Sequence, residues 1–241
     1  MSRSGPPDPE LLKAEKTLRE EFNRWAEAGR GEEMERDHRR IAEKTLALMD
    51  VQPNDRILDM SCGGGWLAAE MAARVPQGQV VGLDLADEMI RRARASHCDL
   101  LNLMFVVGGV DEVPWDDDFF TKVISVEAFY YFPDQPRALA EVFRVLKPGG
   151  TAWVLINLYK ENVYSHGWAD KLGLPVWIRS GDEYCAMMRE VGFVETGHCR
   201  ISDDGPLPET YTGKWFVDLE GLKKFRAEGA LLFYGTKPMP K

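Results

Sequence analysis

The stretch Arg56-Ile57-Leu58-Asp59-Met60-Ser61-Cys62-Gly63-Gly64-Gly65-Trp66-Leu67-Ala68 constrains the fold more than any other part of the chain. A short apolar run ends in an acid, a loop of small residues follows, and the next residues suit a helix. That order reads as strand, tight turn, helix. Glycine belongs where a ligand must lie against the backbone, because a Cβ would hold it off. The helix expected from Trp66 aims backbone N–H groups and a partial positive charge at whatever sits above the loop. The stretch is therefore expected to bind a ligand that is anionic in part.

Two ligand classes compete. Gly63-x-Gly65-x-x-Ala68 satisfies the dinucleotide pattern G-x-G-x-x-G/A, which favours a nicotinamide or flavin cofactor. Asp59 argues against it, because a carboxylate beneath the loop repels a pyrophosphate and suits a ligand with a cationic amine. S-adenosyl-L-methionine carries such an amine. The stretch resembles motif I, D-x-G-x-G-x-G, of the class I S-adenosylmethionine-dependent methyltransferases, with Ser61 in place of the first glycine.

Further motifs follow in the order of that family. Val80-Val81-Gly82-Leu83 reads as a second strand ending at Asp84. This acid lies ~20 residues beyond the glycines, where a ribose-binding carboxylate belongs. Leu83-Asp84-Leu85-Ala86-Asp87-Glu88-Met89 resembles motif II. Asp87 is expected as a helix N-cap, and Leu85 and Met89 are expected against the adenine or in the core. After a strand over Leu103 to Val107, Gly108-Gly109-Val110-Asp111 resembles motif III, whose acid contacts the adenine amino group. Gly109 stands in the acid's place, so either Asp111 substitutes or backbone around Val110 holds the ring. Thr121 to Val126 is the fourth strand, and Glu127 to Asp134 follows it. Ligands lie beyond the carboxyl ends of such strands, which puts Glu127, Tyr130 and Tyr131 near the reacting methyl. The family often has two histidines where Tyr130 and Tyr131 fall. Leu146-Lys147-Pro148-Gly149-Gly150 resembles the family's turn before a fifth strand, Thr151 to Leu158.

The resemblance covers roughly residues 56–158 and is nearest the small-molecule branch, similar to ubiquinone and menaquinone C-methyltransferases. It implies an α/β fold with a doubly wound, mostly parallel seven-stranded sheet (the Rossmann-like methyltransferase fold) and an N-terminal helical lid. The expected organisation is a disordered stretch over 1–10, a lid over 11–54, and a methyltransferase domain over 55–241. Within the domain, inserts near 159–180 and 203–229 would cover the substrate. In the lid, Leu11, Ala14, Leu18, Phe22 and Trp25 form one helical stripe, Gly29-Arg30-Gly31 breaks it, and a second helix runs through Ile41 to Met49.

The implied cofactor is S-adenosyl-L-methionine, held by Asp59, Ser61, Cys62, Gly63, Gly65, Asp84, Leu85, Met89, Gly109, Val110, Asp111, Val126 and, from the lid, Trp25. Candidates for the chemistry are His166 as a base, with Tyr130 and Tyr131 orienting the acceptor; His38 in the lid competes as a base. Arg30, Glu32, Glu33 and Glu35 otherwise read as a solvated face, and His38 among them as a surface histidine. The implied reaction is in-line transfer of the sulfonium methyl to a small-molecule acceptor. A non-catalytic sensor or partner subunit that binds the same cofactor is the rival from another class, and a nicotinamide-dependent reductase is a third.

Composition limits the partners. A net charge of -9 argues against a nucleic-acid surface. Four widely spaced cysteines form neither a zinc pattern nor a disulfide framework and fit a reducing cytoplasm. The acidic run Asp116-Asp117-Asp118 reads as solvated, and no metal ligand set is expected. No apolar run is long enough to span a bilayer, and the N-terminus lacks the apolar core of a signal peptide.

Overall fold

The computed structural model describes residues 8–240, apart from the Glu32 side chain. Seven strands form one sheet in the order β3-β2-β1-β4-β5-β7-β6. β1 (Arg56–Met60), β2 (Gln79–Asp84), β3 (Leu103–Val107), β4 (Phe120–Val126) and β5 (Leu146–Ile156) run parallel. β7 (Ala230–Thr236) is antiparallel to both β5 and β6 (Val194–Ile201). The expected doubly wound sheet is therefore present, parallel except where β7 inserts.

Alternation along the strands builds a core on each face. Leu58, Val81, Val123 and Val154 point to one side, where α5 (Gln135–Val145) and α7 (Gly181–Val191) pack. Ile57, Val80, Ile124 and Leu155 point to the other, against α2 (Arg30–Leu48), α3 (Trp66–Arg74) and α4 (Asp87–Ser96). Burial on both faces explains why these strands read as continuous apolar runs. Strand order reverses between β1 and β4, so a crevice opens beyond their carboxyl ends.

Several local expectations change. Residues 1–7 of the expected disordered stretch lie outside the described residues. Pro9 and Glu10 already belong to α1 (Pro9–Glu27), whose N-cap Asp8 accepts from the Glu10 N–H at 2.9 Å. The break between the first two helices shrinks to Ala28-Gly29. Only Gly29 is left-handed (φ 74°), and α2 starts at Arg30. Within α2, Arg39 pairs with Glu35 and Glu43, four residues away on either side, and bridges to Glu70 on α3. Asp87 is the first helical residue of α4 rather than its cap, and its carboxylate accepts from Asn23 of α1 at 3.0 Å. The Lys147-Pro148-Gly149-Gly150 turn lies inside β5 as a register shift, with Gly149 at φ 78°. α6 (Trp168–Leu172) and α8 (Leu219–Glu228) lie in the two inserts.

Candidate functional site

One cavity of about 750 Å³ opens over the carboxyl ends of β1, β2 and β4. α1 and α2 roof it, and Trp168, Trp215, Phe216 and Phe225 line its far end.

The floor is the loop after β1. The Ser61 and Cys62 N–H groups both donate to Leu83 O, at 2.7 and 3.0 Å, so the loop is pinned to β2. Ser61, Gly63 and Gly65 all have positive φ, at 68°, 52° and 80°. Ser61 thus accepts a conformation that costs an L residue about 1–2 kcal/mol. Gly63 and Gly64 face open space, and a Cβ on either would meet nothing within 4 Å. Gly65 is different. It does not line the cavity, and a Cβ there would lie 2.5 Å from the Phe105 ring. Its expected place against the cofactor is corrected: Gly65 lets the N-terminus of α3 turn close above β3.

Two carboxylates stand at the strand ends. Asp84 Oδ2 accepts from the Gly63 N–H at 2.8 Å and Oδ1 from the Ala86 N–H at 2.9 Å. Asp59 on β1 is buried beside it, and its Oδ2 has no partner. Burial, reinforced by Asp84, pushes Asp59 up to about 7, opposed by a bond from the Ala68 backbone. Burial also raises Asp84, opposed by its backbone donors. The cradle fits S-adenosylmethionine: an orphaned buried carboxylate oxygen for an amine, two side-chain-free glycines for close approach, and an anchored carboxylate for a ribose.

Asp111 Oδ1 lies 2.8 Å from where a Cβ on Gly109 would be, so the Asp111 carboxylate fills the space in which a residue-109 side chain would begin. Leu85, Met89, Gly109, Val110, Asp111, Val126 and Trp25 all line the cavity, as do Asp59, Ser61, Cys62, Gly63 and Asp84. The Cys62 thiol is buried and pushed well above its ordinary value, which leaves it unreactive.

The chemistry-bearing residues divide. Tyr130 and Tyr131 are buried in the cavity wall with ring centroids 4.6 Å apart. Burial raises both phenols, so they donate hydrogen bonds and do not act as bases. Tyr130 donates to Glu127 Oε2 at 3.1 Å. His166 is elsewhere: it is exposed, off the cavity, with Nε2 3.2 Å from Tyr159 O. The expected catalytic place for it is corrected, because the short turn that carries it points to solvent. His38 lines the cavity instead, and burial lowers it to about 4, so it is neutral at pH 7. Its charged sequence neighbours suggested a surface, but its helix face turns inward.

Other wall residues escaped the sequence reading. Gly64 faces the cavity between two glycines that were singled out. Asn157, just past β5, lines the cavity and favours the charged form of Glu127. Arg30 caps Trp25 from α2, its guanidinium 4.1 Å from the ring centre, while Trp25 Nε1 donates to Glu21 at 2.6 Å.

Comparison with known proteins agrees with this geometry. Residues 57–150 match the model of a family described as a methyltransferase domain. The chain is 34% identical over 116 residues to the demethylmenaquinone methyltransferase of Listeria monocytogenes, covering 47% of this chain and 49% of that one. It is 36% identical over 119 residues to the phthiotriol/phenolphthiotriol dimycocerosates methyltransferase of Mycobacterium leprae, covering 49% and 43%. The chain thus spans about half the length of the curated relatives it matches. A solved complex of the Haloferax volcanii Trm112 methyltransferase activator and a putative methyltransferase contains a chain that is 35% identical. That match covers 90% of this chain and 97% of the other, with a TM-score of 0.84. With the motif I cradle, the acids at the ends of β1 and β2 and a likeness along nearly its whole length, the chain belongs to the class I S-adenosylmethionine-dependent methyltransferases.

Proposed function

We propose that this enzyme transfers the sulfonium methyl to a small-molecule acceptor bound in the aromatic half of the cavity. The observation that carries the reading is continuity: one cavity runs from Asp59 and Asp84 to Trp168, Trp215, Phe216 and Phe225. The cofactor supplies an electrophilic methyl. In this reading Asp84 holds the ribose, Asp59 the amine, and Asp111 with the Gly109–Val110 backbone the adenine edge, between Leu85 and Met89. α1 and α2 act as a lid that brings Phe22 and Trp25 over the reacting atoms. Both rings pack edge-on to Tyr131, at 5.2 and 6.4 Å. Water exclusion and positioning then lower the barrier. The insert over 203–229 supports an apolar or aromatic acceptor, because Trp168 meets Trp215 at 5.5 Å and Phe225 at 5.0 Å.

The test is conversion of S-adenosylmethionine to S-adenosylhomocysteine with a panel of small acceptors. Turnover that depends on one acceptor, and is lost in Trp168→Ala with cofactor affinity kept, supports the reading. A chain that binds the cofactor yet methylates nothing in such a panel, in the presence of any activator, would instead be a sensor.

An activator subunit is a second element of the proposal, favoured by one surface. β3 is an edge strand with no neighbour on one side. Leu101, Met104 and Val107, in or just before it, are 100%, 42% and 37% exposed. An apolar sheet edge of this kind invites an added strand. Co-expression with the Haloferax Trm112 protein should give a complex that Met104→Arg disrupts; two proteins that elute separately would remove this part. Among the described residues no helix is long and apolar enough to cross a membrane. The four cysteines are free, which supports a reducing compartment such as the cytoplasm.

A further inference from the structure

Glu127 differs from every other acid in the cavity wall. It directly follows β4 and has φ of 56°, a backbone conformation L side chains rarely adopt. Its N–H is tied to Leu155 O at 2.8 Å, so the neighbouring strand holds the unusual turn. Oε2 accepts from Tyr130 at 3.1 Å. Oε1 is buried and has no partner. Strain concentrated at a cavity, around an orphaned buried oxygen, is the pattern of a site awaiting a ligand.

We propose that Glu127 is the proton acceptor of the methyl transfer, and that it takes up its negative charge only when the sulfonium-bearing cofactor is in place. The inference rests on the methyl-transfer reading above.

The surroundings require such a trigger. Burial pushes Glu127 up to about 8, opposed by the bond from Tyr130 and by nearby Asn157, which favour its charge. Before the cofactor binds, Glu127 is therefore a neutral acid near pH 7. Among the described residues no neighbour supplies the missing positive charge. Tyr130 and Tyr131 are neutral, Asn157 has no charge, His38 is neutral, and Asp59 on the adjacent strand is an acid itself. On the lid, Arg30 and Glu21 oppose each other across Tyr131. A fixed cation brought into this low-dielectric cavity favours the ionised form of a nearby carboxyl.

The proton and charge balance closes over one turnover. Cofactor binding expels the Glu127 proton to solvent. Glu127 Oε1 then receives the proton that the acceptor's nucleophilic atom loses as its lone pair closes on the methyl carbon. The electron pair of the broken carbon–sulfur bond stays on sulfur as a neutral thioether. With the cation gone, Glu127 is again a neutral acid, as at the start. The acceptor class this selects is one whose nucleophilic atom carries a hydrogen.

S-adenosylhomocysteine has the same amine, carboxylate and ribose but no positive sulfur, so the pair of ligands isolates the trigger. Calorimetric titrations of each ligand, in buffers of different ionisation enthalpy, count the protons released. At pH 7.5 a carboxyl that titrates at about 8 is still roughly three-quarters protonated. S-adenosylmethionine should therefore release about that fraction of a proton more than S-adenosylhomocysteine. In Glu127→Gln the difference should vanish, while both ligands still bind. Protons released through Asp59 and the shared amine cancel between the ligands. Equal release by the two ligands in the parent overturns the inference, as does a difference that survives in Glu127→Gln. Failure of the parent to bind S-adenosylmethionine at all would sink the reading of the site itself, and the inference with it.

Discussion

The Gly63 N–H donates to Asp84 Oδ2 at 2.8 Å, so the glycine loop after β1 is fastened to the acid that ends β2. This one bond couples the two halves of the cofactor cradle. The carboxylate is oriented before any ligand arrives, and the loop is held open at Gly63.

Asp84→Ala should therefore lose more than a ribose contact. A hydrogen bond to a charged group contributes about 1.5–3 kcal/mol, which predicts at least a tenfold loss of S-adenosylmethionine affinity. Asp84→Asn keeps one acceptor oxygen for the backbone and should fall between the parent and the alanine variant. Calorimetry on the three proteins checks the order; parent-like binding in Asp84→Ala would remove the ribose assignment.

Asp111 reaches the space in front of Gly109 from two residues along the chain. It is less rigidly placed than an acid at 109 itself. Asp111→Asn should weaken cofactor binding by roughly three- to tenfold, about 1 kcal/mol, and less than Asp84→Ala does. Equal losses in the two variants would show that Asp111 has the full role of the missing acid.

Asn23 ties α1 to α4. Its Nδ2 donates to Asp87 Oδ1 and its Oδ1 accepts from the Glu88 N–H, both at 3.0 Å. Asn23→Ala removes both bonds, worth about 1–2 kcal/mol net at a half-exposed site. Hydrogen exchange over α1 should speed up while the sheet keeps its protection. Unchanged exchange over α1 would mean that apolar packing alone holds the lid.

His166 should prove dispensable. The imidazole is exposed and bonds only to Tyr159 O, away from the cavity. His166→Ala should keep turnover within about twofold of the parent, whereas removal of a working general base costs ~100-fold or more. A large loss in this variant would require a rearrangement that brings residues 163–166 over the acceptor.

What the sequence disclosed follows from which interactions are local. β1, β2 and β3 were legible from apolar runs closed by Asp59, Asp84 and Gly108, because both faces of the sheet are buried. Gly65 was misplaced, because a glycine pattern does not distinguish a residue facing a ligand from one facing the Phe105 ring. The left-handed backbone of Glu127 depends on Leu155 of β5, far along the chain, and with its orphaned oxygen leaves no mark in the local pattern. The two inserts were expected over the substrate, but Trp168 and Trp215 meet through long-range packing that no local pattern records.

The buried acids also set a direction for stability against pH. In the folded chain Asp59 is raised from 3.8 to about 7 and Glu127 from 4.5 to about 8, both chiefly by burial. Between the unfolded and folded values the native state binds more protons than the unfolded chain. Stability contributed by these groups is thus greatest in acid, falls as pH rises from about 4 towards 8, and levels off above. Glu127→Gln removes one of these groups while keeping an oxygen for Tyr130. Relative to the parent it should gain little near pH 4.5, gain progressively up to pH 8, and reach on the order of 5 kcal/mol above that. Urea unfolding of both proteins at pH 5, 7 and 9 gives this difference directly, with contributions from all other groups cancelling. Saturating S-adenosylmethionine should shrink the gain, because a cation in the cavity relieves the cost of an ionised Glu127. A gain that is the same at pH 5 and pH 9 would show that Glu127 does not titrate between them.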